Sequence, residues 1–282
     1  MKIVVTGANG QLGQELVRQL QQTNFELYPF TKSDLDITNG NIVNEVITKI
    51  KPDIIINAAA YTKVDQAEVE EETAYLVNAF GQRNLAVAAE KVGAKICYIS
   101  TDYVFDGNST VPYREYDQTN PLGVYGKSKL VGEELTKSLC SRYFIVRTAW
   151  VYGEFGQNFV KTMLRLAKEK EEIGVVNDQI GAPTYTVDLT RFIIELVQTE
   201  KFGIYHCTNS SSCSWYEFAK AIFEESNISV KVNPITTEQF PRPAERPKYS
   251  VLDNFAMKVN GFQMLRHWRE ALKEFLKSDF RI

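Results

Sequence analysis

The chain has 282 residues, with 32 Lys+Arg against 35 Asp+Glu and a formal charge of −3. That near balance argues against a nucleic-acid binder, which carries a basic excess, and no apolar run nears the roughly 18 residues of a membrane span. Two histidines and four cysteines without a CxxC pair leave little room for a histidine metal site, a Ser-His-Asp triad or a zinc site. The apolar start is too short for a signal peptide, so the thiols read as reduced and the chain as cytoplasmic.

Short β-branched runs alternate with helical spacing along the first half. Residues 3–6 predict a buried strand and 11–20 a helix with Leu12, Leu16, Val17 and Leu20 on one side. Residues 25–30 predict a second strand, 41–50 a helix, and 54–56 (three isoleucines) a central strand covered on both faces. A long helix is expected over 73–92, a strand over 96–99, a helix over 122–139 and a strand over 144–146. This β-α-β-α order is the signature of an α/β fold, a doubly wound parallel Rossmann sheet. Helices follow over 159–170, 187–197 and 215–225, and an amphipathic one over 264–276. Proline-rich 241–247 (PRPAERP) reads as an ordered loop. Residues 1–150 with about 179–208 are expected to form the dinucleotide-binding domain. About 151–178 and 209–282 are expected to form a smaller, mostly C-terminal substrate domain.

GANGQLG, from Gly7 to Gly13, leaves the first strand and opens the first helix. Gly7 permits a tight turn, Gly10 lets backbone approach a pyrophosphate, Gly13 lets helix pack on strand, and the helix N-terminus favours an anion. The spacing resembles the short-chain dehydrogenases/reductases; no P-loop lysine follows it. The second strand ends in Thr31, Lys32 and Ser33, hydroxyl and basic groups suited to a 2′-phosphate. This favours NADP(H), while Asp34 keeps NAD(H) open.

Tyr125 and Lys129 stand one turn apart on a predicted helix. Hydride transfer to a ketone leaves an oxyanion, to which a tyrosine can give a proton. A neighbouring ammonium is expected to lower that hydroxyl by about two pKa units. YxxxK alone recurs by chance, but Thr101 closes the strand over 96–99, at the end where ligands gather, and can offer its hydroxyl to the same carbonyl oxygen.

Five stretches resemble the extended short-chain reductases and, within them, the dTDP-4-dehydrorhamnose reductase family: 57–68 (NAAAYTKVDQAE), 100–107 (STDYVFDG), 125–129 (YGKSK), 147–152 (RTAWVY) and 178–184 (DQIGAPT). The resemblance runs over essentially the whole chain. It implies Thr101, Tyr125 and Lys129 as catalytic residues. Gly10, Gln11 and Leu12 would line the pyrophosphate, Asp36 and Ile37 the adenine, and Ala58, Ala59 and Tyr61 the cofactor. Tyr103 and Trp150 would line the sugar, and Arg242 and Arg246 would meet the nucleotide diphosphate. Asp65 and Glu68 read as helix-start charges, outside the catalytic set.

The activity implied is NAD(P)H-dependent reduction of the C4 ketone of a dTDP-4-keto-6-deoxy sugar to dTDP-L-rhamnose, for cell-surface polysaccharide. A reductase or epimerase of another nucleotide sugar, or a non-catalytic NADP-binding regulatory subunit, are the alternatives. A homodimer is compatible with the resemblance. Some relatives hold Mg²⁺ at a dimer contact through a glutamate of the first helix; Glu15 fits that place, but no later acidic pair is evident around Asp188, so no metal is expected.

Overall fold

The computed structural model describes residues 1–278. Strands β1 (Lys2–Thr6), β2 (Glu26–Phe30) and β3 (Ile54–Asn57) are separated by helices α1 (Gln11–Leu20) and α2 (Gly40–Ile50). The short helices α3 (Val64–Ala67) and α4 (Glu71–Tyr75) lead through a π-helical turn (Leu76–Gly81) into α5 (Gln82–Val92). Strand β4 (Lys95–Thr101), helix α6 (Val124–Leu139) and strand β5 (Tyr143–Thr148) complete the first half. Then come β6 (Val151–Tyr152), α7 (Phe159–Leu166), β7 (Glu172–Val176), β8 (Ile180–Gly181), β9 (Thr184–Tyr185), α8 (Thr186–Val197) and β10 (Gly203–His206). The last elements are β11 (Cys213–Ser214), α9 (Trp215–Glu225), β12 (Lys231–Ile235), α10 (Phe255–Val259) and α11 (Trp268–Lys277).

Six parallel strands form the central sheet in the order β10-β5-β4-β3-β1-β2. The chain reverses its direction of travel between β1 and β3, so a crevice opens beyond their carboxyl ends. All four residues of β3 are buried, as a strand with helices on both faces requires. One core lies between the sheet and α1 and α8, through Leu16, Leu20, Leu189 and Ile193, and a second under α2 and α5. Each fully buried aliphatic side chain contributes roughly 1.5–3 kcal/mol. A separate aromatic core gathers Tyr152, Tyr185, Phe218, Trp268 and Phe275 away from the sheet.

Four elements differ from expectation; the simplest is α7, expected over 159–170, which ends at Leu166. The helix expected over 73–92 is interrupted by the π-helical turn, which directs Asn78 inward. There its side chain accepts from Tyr61 N (2.8 Å) and donates to Ser128 Oγ (3.0 Å). A single extra residue in the turn is invisible to a 3.6-residue period, and such turns gather at functional sites. The C-terminal helix begins at Trp268 rather than residue 264, with His267 as its cap. Strands β7 and β12 pair in parallel beside the aromatic core, a pairing no local pattern announces.

Candidate active site

The glycine loop ends β1 at the crevice. Gly7 has φ +68°, and a Cβ there would stand 2.5 Å from Ala59 N, so only glycine lets the loops after β1 and β3 touch. A Cβ at Gly13 would lie 2.0 Å from Gly7 O, so α1 can seat against the turn only without one. Gly10 caps α1 in extended conformation and no side chain caps the helix, leaving its first amides open to an anion.

Above the loop lies a cavity of about 310 Å³ walled by Gly7, Gly10, Lys32, Asp36, Ile37, Ala58, Ala59 and Tyr61. The expected adenine and cofactor residues are therefore brought together. Asp36 accepts from Thr38 N (3.0 Å) and Thr38 Oγ1 (2.8 Å), which holds its carboxyl low. Lys32 is exposed at the rim, whereas Thr31 donates its hydroxyl to Asp34 Oδ2 (2.6 Å) and its amide to the same oxygen (2.9 Å). Asp34 is thus engaged within its own turn. The Gln11 side chain reaches across to the second half, donating to Val151 O (3.1 Å) and accepting from Asn158 Nδ2 (3.0 Å).

A second cavity of about 400 Å³ shares Gly10, Ala58 and Ala60 with the first. Thr101, Tyr103, Tyr125, Lys129 and Trp150 line it, together with Leu12 and Gln157. Thr101 ends β4, Tyr125 stands in the first turn of α6, and Lys129 follows one turn on. Lys129 is 1% exposed and donates to Ile99 O (2.6 Å), with its ammonium 4.0 Å from the Tyr98 ring centre. Burial lowers its pKa to about 7, opposed by Glu133 one turn further along.

The expected effect of that lysine on Tyr125 is not what governs the hydroxyl. Burial raises Tyr125 to about 12, against its hydrogen bond with Thr101 and with the Asp102 charge adding to the rise. In the free protein the Lys129 amine is held by the Ile99 carbonyl, and burial favours its neutral form. Tyr125 therefore stays protonated, the form a proton donor needs. Thr101 donates to Asp102 Oδ1 (2.9 Å); Asp102 is itself buried, and burial raises it to about 6.

The pairing of Glu133 with Arg147, and the partners of Glu68 and Asp65, gave no signal in the sequence. Glu133 and Arg147 form a buried ion pair at 2.7 Å, and Glu133 also accepts from Ser100 Oγ (2.5 Å), beside Thr101. Glu68 Oε1 accepts from Val124 N (2.8 Å), satisfying an amide at the start of the helix that carries Tyr125. Asp65 meets both loop arginines: Arg246 Nη2 at 2.8 Å and Arg242 Nη1 at 3.9 Å. Arg246 also lies over the Tyr103 ring, itself edge-on to Tyr125. Arg242 lies over Phe240, in a cavity adjoining Asp106 and Lys248. Glu15 is taken by Arg18 and Gln19, and Asp188 by Arg266 and Asn209. Among the described residues no three His, Cys, Asp or Glu are grouped to hold a metal, and no helix is long and apolar enough to cross a membrane.

The family model described as RmlD substrate binding domain matches residues 1–280. The spore coat polysaccharide biosynthesis protein SpsK of Bacillus subtilis is 49% identical over 98% of this chain and 97% of its own. A dTDP-4-dehydrorhamnose reductase of Aggregatibacter actinomycetemcomitans is 46% identical over 96% of this chain and 97% of its own. A dTDP-4-dehydrorhamnose reductase of Bacillus anthracis, solved in complex with NADP, is 52% identical, covers 97% of this chain and 98% of its own, and superposes with a TM-score of 0.96. The chain belongs to the RmlD substrate binding domain family, among the dTDP-4-dehydrorhamnose reductases.

Proposed function

We propose that this chain reduces the C4 ketone of dTDP-4-dehydro-6-deoxy-L-mannose to dTDP-L-rhamnose, with NADPH as reductant, for surface polysaccharide. The observation that carries this reading is one cavity bordered by Thr101, Tyr125 and Lys129 and continuous with the glycine loop. The names of the relatives and the NADP held by the Bacillus anthracis protein support it.

The residues of the first cavity fit a dinucleotide: the open amides of the first turn of α1, after Gly10, suit its pyrophosphate, and Lys32 at the rim suits a 2′-phosphate. Bound there, the reduced nicotinamide supplies the hydride. Tyr125 gives its proton to the C4 oxygen as the ketone becomes an alcohol, and Thr101 borders that oxygen. Lys129 orients the cofactor and offsets the negative charge left on Tyr125. Tyr103 and Trp150 form walls for the sugar, and Arg242 and Arg246 suit the diphosphate as forked donors. Asp65 holds those arginines until the nucleotide takes its place.

Residues 1–150 and about 179–208 would carry the cofactor, and about 151–178 and 209–282 the sugar nucleotide. The reaction is assigned to the cytoplasm, and a homodimer is compatible with it. The test is NADPH oxidation with the 4-keto sugar nucleotide in wild type and Tyr125→Phe. Loss of the general acid should lower kcat about 10²–10⁴-fold; a variant at full rate would remove Tyr125 as the acid.

A further inference from the structure

The stretch 178–184 (DQIGAPT) takes no part in the proton or hydride chemistry, yet its glycine has one clear neighbour. A Cβ at Gly181 would stand 2.4 Å from Cε2 of Trp150 and 2.7 Å from Cζ2 and Nε1. The Trp150 indole thus lies directly against bare backbone. The same indole is stacked on the Trp215 ring, with centroids 3.4 Å apart and planes 7° from parallel. Phe159 backs Trp215 at 4.6 Å.

These supports are joined to each other. Gly181 in β8 pairs with Cys213 in β11, and Trp215 follows two residues later as the first residue of α9. Ser214 and Glu217 fix the start of that helix through a reciprocal capping box. The backbone of Trp150 is itself unusual, with φ +48°, a left-handed conformation that a bulky side chain rarely adopts. Such a conformation persists where surrounding packing over-determines it. Trp150 also lines the cavity shared with Thr101 and Tyr125.

We propose that Gly181 and Trp215 are positioning residues that lock the Trp150 indole as a rigid wall of the sugar pocket and so set which sugar ring it accepts. The proposal rests on the reading of that cavity as a sugar-nucleotide site. With Gly181 and Trp215 against its faces, the indole offers the cavity a fixed apolar edge, against which a sugar can lie without ordering a side chain first.

The experiment compares Gly181→Ala, Trp215→Ala and Trp215→Phe with wild type. It measures steady-state kinetics on the 4-keto sugar nucleotide, NADPH affinity, and the near-ultraviolet circular dichroism of the coupled indoles. Gly181→Ala and Trp215→Ala should raise KM for the sugar nucleotide about tenfold or more, with kcat and NADPH affinity close to wild type. The coupled indole signal should vanish in Trp215→Ala and change in Gly181→Ala. Trp215→Phe, which retains a stacking ring, should bring KM back to within about threefold of wild type. The proposal is overturned if Trp215→Ala binds NADPH normally and keeps the wild-type KM, or if Trp215→Phe is damaged as much as Trp215→Ala. Should Gly181→Ala fail to fold, the two Trp215 variants decide. If wild type itself does not turn over the sugar nucleotide, the substrate assignment falls. Seating of Trp150 is then judged by the indole signal, and an unaltered signal in folded Gly181→Ala refutes it.

Discussion

Binding of NADPH should take up a proton, and Lys129 is the group that takes it. Its ammonium is 1% exposed and lowered by burial to about 7, so at about pH 8 only about one-tenth of the free protein carries that charge. A bound nucleotide brings negative phosphates and hydroxyl acceptors near Lys129, both of which favour the charged form and raise its pKa. Above pH 7 the bound protein then holds more protons than the free one. Affinity falls as pH rises, by up to about tenfold (about 1.4 kcal/mol) per unit, and below about pH 7 it levels off. Uptake at about pH 8 should be a sizeable fraction of one proton. Calorimetric titration in two buffers of different ionisation enthalpy reads this number directly, and Lys129→Met subtracts protons taken by the nucleotide itself. Equal uptake in wild type and Lys129→Met would refute the assignment. The same depressed pKa makes the ligand-free protein gain stability from about pH 7 to about pH 10, because the unfolded chain binds the extra proton in that window.

Removing one member of the buried Arg147–Glu133 pair, as in Arg147→Met, should cost about 3–5 kcal/mol in urea unfolding. Pairing that change with Glu133→Leu should restore most of the loss, and a single variant within about 1 kcal/mol of wild type would show that the pair is well hydrated. Gly7→Ala forces a Cβ to within 2.5 Å of Ala59 N at positive φ. It should lose about 1–3 kcal/mol of stability and most NADPH affinity, read by melting with and without nucleotide. Asp65→Ala frees Arg246 and Arg242 from a half-exposed carboxylate. Stability should move by less than about 1 kcal/mol, while KM for the sugar nucleotide falls; a raised KM would assign Asp65 a supporting role instead.

The parts of the site that could be read in the sequence are those whose chemistry is local. GANGQLG and YGKSK lie within single turns, and STDYV follows a run whose β-branching already marks a strand, so spacing alone aligns their groups. Long-range pairings gave no such signal. Asp65 reads as a helix-start charge until folding brings it against Arg246, 181 residues away, and β7 finds β12 across an interval with no shared pattern. Gly181 is visible in its motif, yet its reason is the Trp150 ring lying on it, a contact made only by folding. The lysine–tyrosine electrostatics differ from expectation because burial, which residue spacing does not show, dominates both groups.

The most direct measurement is product identification by NMR after the wild-type protein is incubated with NADPH and dTDP-4-dehydro-6-deoxy-L-mannose. The expected result is dTDP-L-rhamnose formed mole for mole with NADPH oxidised, and little formed by Tyr125→Phe. Tight NADPH binding without oxidation, or a product still bearing the C4 ketone, would contradict the reductase assignment.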